Sequence, residues 1–383
     1  MKVAAWALGL LACAWAETAS ALEVRFFPAG VLHSYELDAA HGASSLLVHN
    51  VAIINDGAQS VTLSEVRLEL ADAGVVKDVR LLGAADLARA AAGGAGLQQS
   101  GMWNMIGFMF GGERLLPHNE HLSATPTLAP GEALLVSAQV FAYRGARDEF
   151  RVHVAGDTAQ AEGHIAVSSA LSQTAFALPL HGVWMDAMAP SLHSHHRWAP
   201  MEQFAGDFVR VAANGRTHRG EGLRFTDYYA YGQPIFAAAA GTVVVASDTE
   251  AEDLSAMRQR GESAEAYMGR LRQDQATRLA RGLLGVVGNY VVIDHGHGEF
   301  SVYAHMKPGS VRVHAGQQVA QGVQIGQVGS SGNSTEPHLH FQVCDSADAL
   351  MCSGIPPQWT GLNFAVDDPG RQPQSADLVY GAQ

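Results

Sequence analysis

The 383-residue chain has few cysteines, few lysines and no excess of basic residues. Its three cysteines are too few for a thiolate-rich metal site. Its 24 basic and 37 acidic residues give a net charge of −13, which argues against nonspecific nucleic-acid binding because that needs a cationic surface. Beyond the first residues, no apolar run is long enough to span a membrane. The length predicts about two domains. The hydrophobic (48%) and charged (16%) fractions predict a soluble chain with a substantial core and exclude long-range disorder, collagen and coiled coil. The count of 18 histidines is high.

Residues 1–21 are typical of a secretory signal peptide. Lys2 supplies the charged start, residues 3–16 are apolar, and the stretch 19–21 is an Ala-Ser-Ala cleavage site. Two alternatives stay open, an uncleaved anchor and a lipoprotein in which Cys13 carries the lipid. We expect an exported protein, periplasmic or extracellular, with no transmembrane segment after cleavage.

Signal cleavage would leave two cysteines, Cys344 and Cys352. Two cysteines eight positions apart in an oxidising compartment favour a disulfide, since a thiolate metal site needs more ligands. We therefore expect a Cys344–Cys352 disulfide that closes a short loop, and we expect its reduction to lower activity or stability.

Residues 22–180 show mostly period-two alternation of apolar and polar residues, separated by turn signals such as Asn-Asp-Gly at 55–57. The pattern predicts a β-sandwich of immunoglobulin-like size. It breaks at 83–112, where we expect a short Ala-rich helix over 84–92 and then an apolar run over 102–110. That run is either an exposed docking or lid segment or a segment packed against one of the domains.

A linker rich in His and Pro is expected at 181–200. Residues 201–345 again alternate as short strands and predict a second β domain. Within it, the apolar residues of 250–284 recur at helical spacing, which predicts one or two amphipathic helices without a chemical role. Residues 346–383 are expected to form a C-terminal extension.

The motif with the clearest chemistry is His338-Leu339-His340. Side chains alternate along a strand, so His338 and His340 should share one face while Leu339 and Phe341 face the core. Two imidazoles on one face can serve a single centre, one binding a metal and the other its water or substrate. A third imidazole, His305, ends an earlier predicted strand.

An ordered series of motifs resembles the lysostaphin/LytM-type zinc endopeptidases of cell-wall metabolism. The motifs are GNYVVIDH at 288–295, YAH at 303–305, GVQIGQVG at 322–329, SGNS at 331–334 and HLHF at 338–341. The resemblance covers about residues 194–343. It implies a mostly β fold, in which the predicted sandwich precedes a LytM-type antiparallel β-sheet peptidase domain with a helical insertion. It also implies a groove that holds one Zn²⁺.

Carried over residue by residue, the resemblance implies that His340 is the last zinc ligand. It places His305 and His338 beside the attacking water as the catalytic pair. Asp207 fits the ligand Asp of the family's first motif. The His ligand expected four residues earlier is replaced by Gln203, which is a poor zinc ligand.

The first zinc ligand therefore has several candidates. The nearest upstream imidazoles are His193, His195 and His196, and a longer loop can return one of them to the site. We expect His196 or His195 and leave the choice between them open. A competing placement uses His218 with Asp227.

Two imidazoles and one carboxylate around Zn²⁺ leave a fourth position for water, as in catalytic zinc sites. The resemblance predicts an exported zinc metalloendopeptidase that hydrolyses peptidoglycan cross-links, with histidine as general acid and base. The alternative is a catalytically inactive protein of the same fold that binds wall peptide or activates an amidase. Gln203 favours that alternative, and the three retained histidines weigh against it. The expected partners are peptidoglycan peptide and a regulatory protein, with no nucleic acid.

Overall fold

The computed structural model describes residues 21–366 and 371–381. The predicted signal peptide, except for Ala21, lies outside the described residues. Within the described ranges, no helix combines the length and apolar character needed to cross a membrane.

The first half of the described chain is built almost entirely of strands. These strands are β1 (Leu22–Phe27), β2 (Val31–Asp38), β3 (Ala43–Asn55), β4 (Val61–Asp72), β5 (Val75–Leu82), β6 (His121–Leu122), β7 (Thr127–Leu128), β8 (Glu132–Arg144), β9 (Glu149–Gly156) and β10 (Gln160–Ser168). They pair in the order β5-β4-β9-β10-β2-β3-β8-β6, with β1 beside β3 and β7 beside β4. Residues from β3, β4, β8 and β9 enclose one apolar core. The predicted β architecture is confirmed for this half, and its immunoglobulin-like character stays a prediction.

One long helix and several short turns interrupt these strands. α1 (Ala84–Gln99) is followed by α2 (Met102–Ile106) and by 3-10 turns at Gly107–Phe110 and Gly112–Arg114. α1 continues through Gly93 and Gly94, where the sequence predicted an end at residue 92. A Cβ at Gly94 would lie 3.3 Å from Leu122 Cδ1, so the glycine allows close packing of the helix on β6.

The apolar segment 102–110 packs against both halves of the chain. The Trp103 ring stacks on Phe110, with 5.5 Å between centroids, beside an apolar cluster of the first half. Phe108 packs instead against a second-half cluster that contains Tyr290 and Val292. Of the two alternatives for this segment, the structure therefore shows the packed one.

The second half is a larger sheet with a helical insertion. Its strands are β11 (Ala175–Phe176), β12 (Trp184–Asp186), β13 (Gly206–Val209), β14 (Pro234–Phe236), β15 (Gly241–Ser247), β16 (Asn289–Asp294), β17 (Phe300–Met306), β18 (Gln318–Val319), β19 (Gln324–Gln327), β20 (Leu339–Cys344), β21 (Gln358–Trp359), β22 (Leu362–Phe364) and β23 (Asp377–Gly381). An antiparallel sheet has the order β18-β15-β16-β17-β20-β13-β12-β23-β22, while β14 pairs with β19 and β11 with β21. The insertion predicted at 250–284 contains α3 (Ala264–Leu279), and α4 (Leu283–Val287) begins at its end and continues beyond it.

The strand pairing differs from the predicted domain limits at two places. The expected linker 181–200 contains β12. Its first residue, Trp184, is 1% exposed and packs in the apolar core of the second half, which holds this stretch against the sheet. The expected C-terminal extension supplies β22 and β23, and β23 pairs with β12. The predicted linker and extension are therefore parts of the second sheet.

Alternation along β20 divides its side chains between two faces. Leu339, Phe341 and Val343 enter the second core, as predicted. His340 and Gln342 face the other side of the sheet. There His340 lies opposite Asp207 of β13 in the antiparallel register. This face carries the candidate site.

Candidate metal centre

Strand pairing brings the first two candidate ligands together. Asp207 and His340 are register partners on β13 and β20, and His340 Nδ1 lies 2.9 Å from Asp207 Oδ1. A gap of 133 residues in sequence is thus closed by one antiparallel pairing. Both side chains belong to rigid strands, which hold their relative positions.

His196 reaches the same carboxylate from a 3-10 turn, His195–Trp198. Its Nε2 lies 3.3 Å from Asp207 Oδ2, and its other nitrogen, Nδ1, donates to the carbonyl oxygen of Met188 at 2.9 Å. Because a carbonyl only accepts, Nδ1 carries the proton and Nε2 is free to face Asp207.

The other candidates for the first ligand lie elsewhere. His195 is exposed; its ring is 4.6 Å from that of His196, and it belongs with His196 and Glu202 to a second group of possible ligands that does not include Asp207. His193 is also exposed. Of the two residues left open by the sequence, the structure places His196 at the carboxylate.

The competing placement, His218 with Asp227, is not assembled in this structure. His218 lies against the Tyr228 ring, and the Asp227 carboxylate accepts from the Arg224 N–H of its own turn. Gln203, at the position where the family has a ligand, is buried and donates toward the His33 carbonyl in the first half at 3.5 Å.

His196, Asp207 and His340 offer ligand atoms that all lie within 4.8 Å of one another. Three lone-pair-bearing atoms this close repel each other unless a proton or a cation lies between them. Two imidazole nitrogens and a carboxylate oxygen form a donor set that Zn²⁺ accepts in catalytic sites. The residues present therefore fit the zinc that the resemblance implies.

The two predicted catalytic histidines adjoin this group. His338 Nε2 lies 3.4 Å from Asp207 Oδ1, and the rings of His305 and His338 are 4.7 Å apart. The Nδ1–H of His338 donates to the Glu336 carbonyl, and that of His305 to the Ser331 carbonyl, each at 2.8 Å. In both rings Nε2 is consequently the nitrogen left without a proton when the imidazole is neutral.

His305 has a left-handed backbone conformation, with φ of 60°. A non-glycine residue in this region stores strain, and such strain persists where the surroundings over-determine it. Here the ring is 7% exposed and its Nδ1–H is held by the Ser331 carbonyl. The turn of the backbone directs the imidazole toward His338.

Motif glycines build the loop that supplies this carbonyl. Gly288 and Gly332 have φ of 67° and 73°. A Cβ on Gly288 would lie 2.5 Å from the Ser331 backbone, and one on Gly332 would lie 2.4 Å from Gly288 N. The two backbones approach so closely that side chains are excluded, which fixes the position of the carbonyl beside His305.

The electrostatics of the cluster centre on Asp207. Burial raises its pKa, but the neighbouring imidazoles of His196 and His338 outweigh burial and hold the pKa well below its usual range. Burial lowers the pKa of His196, yet the carboxylate raises it more, to about 10. The pKa of His338 is raised by the same competition. Burial lowers the pKa of His305 well below its ordinary value. A buried anion among imidazoles favours a cation at this point.

Two buried residues next to the site were not predicted. Gln342 shares the face of His340 and lies 2.8 Å from its Nε2; the same alternation that singled out His338 could have found it. Asp186 of β12 is 2% exposed, and burial raises its pKa well above the ordinary value, with Asp207 adding to the effect. No motif in the sequence marks Asp186.

The expected Cys344–Cys352 disulfide is present, with Cα atoms 5.6 Å apart. Both cysteines are fully buried. The bond closes the loop that directly follows β20, so the loop is tied to the strand that carries His340.

Comparison with known proteins identifies part of this region. The model of Peptidase family M23 matches residues 274–351. That stretch contains His305, His338 and His340, while His196 and Asp207 precede it.

Curated relatives match a short part of the chain. They include the peptidoglycan DD-endopeptidase ShyA of Vibrio cholerae, 43% identical over 56 residues, 15% of this chain and 13% of that protein. The cell division protein DipM of Caulobacter vibrioides is 43% identical over 56 residues, 15% of this chain and 9% of that protein. The murein hydrolase activator EnvC of Escherichia coli is 36% identical over 74 residues, 19% of this chain and 16% of that protein. The chain thus spans less than a fifth of the length of these relatives.

Solved structures show weaker similarity. The catalytic domain of lysostaphin from Staphylococcus simulans is 18% identical with a TM-score of 0.25, covering 45% of this chain and 88% of that one. The M23 protein EnpA from Enterococcus faecalis is 18% identical with a TM-score of 0.26, covering 47% and 95%. The similarity therefore depends on the family match and the motifs that lie within it: residues 274–351 match Peptidase family M23, and their motifs resemble those of the lysostaphin/LytM type.

Proposed function

We propose that the chain is an exported zinc metalloendopeptidase that hydrolyses peptide bonds in peptidoglycan cross-links. The observation that carries this proposal is the convergence of His196, Asp207 and His340, with His305 and His338 directly beside them. A binding module needs no such set of imidazoles with their proton-free nitrogens turned inward.

His196 Nε2, an oxygen of Asp207 and His340 Nδ1 would hold the metal. When bound there, Zn²⁺ supplies Lewis acidity, which lowers the pKa of water and polarises a carbonyl group. The protein keeps the three ligand atoms together through the β13–β20 register and the His195–Trp198 turn.

His305 and His338 form the proposed acid and base pair. Their Nδ1–H groups are fixed on backbone carbonyls, so only Nε2 of each ring can exchange a proton with a molecule in the site. One ring takes the proton from the attacking water and later gives it to the leaving amine. The other, protonated on Nε2, donates to the oxyanion of the tetrahedral intermediate.

Peptidoglycan peptide is the proposed substrate because a relative of the matched stretch is named a peptidoglycan DD-endopeptidase. Export follows from the predicted signal peptide. A regulatory partner is proposed because another relative is named a murein hydrolase activator. The net charge of −13 leaves nucleic acid an unfavourable partner.

The test measures zinc content and peptidoglycan digestion for the mature protein starting at Leu22. We expect about one zinc per chain. His196→Ala, Asp207→Ala and His340→Ala should lose both zinc and hydrolysis. His195→Ala and Asp227→Ala are matched controls, since these side chains lie outside the ligand group, and both should keep zinc.

Undiminished hydrolysis in His340→Ala would contradict the proposal. A wild type that takes up no zinc even after supplementation, yet stimulates an amidase, would establish the inactive alternative instead.

A further inference from the structure

Each of the four histidines at the site has one nitrogen that faces away from it. In three of them that outward nitrogen donates to a backbone carbonyl, at Met188, Ser331 and Glu336. The outward Nδ1 of His338 also lies 3.2 Å from the Ser334 hydroxyl. The fourth, His340, is different because the partner of its outward Nε2 is a side-chain amide, that of Gln342, at 2.8 Å. A carbonyl can only accept, but an amide can present either its oxygen or its NH₂ group.

The surroundings of Gln342 decide which end of the amide faces His340. Gln342 is 3% exposed, and its NH₂ group donates to the Ala349 carbonyl at 3.2 Å. The same group lies 3.1 Å from Cys344 Sγ and 3.6 Å from Cys352 Sγ, and both are weak acceptors. A flipped amide would set its oxygen against a carbonyl oxygen and two sulfurs. The NH₂ group therefore points at the disulfide loop, and Oε1 points at His340.

The orientation of this amide determines the tautomer of His340. With Oε1 as its neighbour, Nε2 must carry the proton, and Nδ1 keeps its lone pair. Nδ1 is the nitrogen that lies 2.9 Å from Asp207. The opposite tautomer would place a proton on Nδ1, where it would exclude a metal ion.

We propose that Gln342 is a positioning residue for the metal. Held by the loop that the Cys344–Cys352 disulfide closes, Gln342 selects the tautomer in which His340 binds Zn²⁺ through Nδ1. This inference depends on the proposed function and deepens it. Groups that orient metal-binding histidines in this way typically change metal affinity 10- to 100-fold when removed.

The test compares two substitutions at this position in the full mature chain. Gln342→Met keeps the length of the side chain and removes the acceptor, so zinc affinity should fall roughly 10- to 100-fold. Gln342→Glu keeps an acceptor for Nε2–H and should lose less zinc affinity than Gln342→Met, although its second carboxyl oxygen replaces the NH₂ group beside the Ala349 carbonyl. Chelator competition measures both, and thermal unfolding in excess chelator confirms that each variant is folded.

Gln203→Met is the matched control. Gln203 is also a buried amide, 4% exposed, but its amide nitrogen donates toward the His33 carbonyl in the first half of the chain. Its substitution should leave zinc affinity unchanged.

A second readout follows the proton itself. In the zinc-loaded wild type, a ¹H–¹⁵N spectrum of the imidazoles should show a slowly exchanging Nε2–H on His340. In Gln342→Met this proton should exchange faster with water. A general packing defect would not move this single signal.

Equal zinc affinity in wild type and Gln342→Met would overturn the inference. So would an equal loss in the Met and Glu variants, because the acceptor would then not be the cause. A wild type without zinc contradicts the proposed function itself, and that result is visible before any Gln342 variant is made.

Discussion

His340 and His196 approach the same carboxylate from opposite kinds of structure. His340 is part of a central strand and lies in register with Asp207. His196 lies on a four-residue 3-10 turn that no strand pairing fixes. The difference shows that one half of the site is held by the sheet of the second half itself, whereas the other half needs support from outside that sheet.

That support comes from the first half of the chain, through Arg197. This side chain is fully buried, and its Nη2 donates to the Ser45 hydroxyl at 3.0 Å. The guanidinium lies over the ring of Tyr35, 5.2 Å from its centroid. His49 in turn donates to the Arg197 carbonyl at 3.2 Å. The β-strands of the first half therefore anchor the turn that presents His196.

The largest expected effect comes from removing the Asp207 carboxylate, which His196 and His340 both approach. Asp207→Asn should weaken zinc binding more than roughly a hundredfold, since it removes a ligand rather than a supporting group. Without zinc, the pKa of His196 and that of His338 should both fall, because the carboxylate is what raises them. Zinc titration and an NMR pH titration of the imidazoles check this. Unchanged imidazole titration would contradict it.

Arg197→Ala should displace the 3-10 turn that carries His196 and leave the strand that carries His340 in place. Truncating a fully buried side chain leaves a cavity, which costs about 2–4 kcal/mol of stability. Zinc affinity should fall because the neighbouring His196 loses its anchor, while the β13–β20 pairing persists in amide exchange. Arg219→Ala, which removes an exposed side chain beside Tyr229, is the control. Faster exchange of the β13–β20 amide protons would show that the turn carrying His196 and the strand carrying His340 are not held independently.

Removing the disulfide should test how much the closed loop after β20 stabilises the strand that carries His340. Replacing Cys344 and Cys352 together with Ala opens a loop with a sequence separation of eight residues, which should cost about 2–3 kcal/mol by loop entropy. Denaturant unfolding measures this, with the reduced wild type as a second comparison. A mass spectrum of the mature wild type showing two free thiols would contradict the premise.

Ser194→Ala should give the smallest effect. The Ser194 hydroxyl accepts the His196 N–H at 3.2 Å and begins the turn. Loss of such a cap typically costs about 1 kcal/mol, so we expect a drop in zinc affinity of at most about tenfold. Chelator competition should place Ser194→Ala between the wild type and Arg197→Ala. A larger loss than in Arg197→Ala would mean that the cap, and not the contact with the first half of the chain, holds His196.

The same division decides what the sequence could predict. The shared face of His338 and His340 follows from alternation along a strand, and the disulfide follows from spacing and compartment; both features are local. The choice between His195 and His196 is not local, because it depends on a turn whose anchor, Ser45, is distant in sequence. Sequence alone left that choice open for this reason.

Fold details were missed for a related reason. The helix α1 passes through Gly93 and Gly94 because packing on β6 overrides their low helix propensity. The strand β12 lay in a stretch rich in His and Pro, where composition suggested a linker, and its partner β23 is almost 200 residues away. Pairing over such distances leaves no local pattern.

The antiparallel pairing of β13 with β20 has a consequence for when the proposed zinc site can form. Asp207 and His340 are separated by 133 residues, so they meet only after most of the chain has been synthesised and folded. A chain that crosses a membrane unfolded carries the ligands but no assembled centre. If the chain is exported as proposed, zinc would be acquired in the compartment where the protein folds. A ligand that binds only the folded form stabilises it by mass action. The availability of zinc there would therefore control how much of the protein reaches the native state.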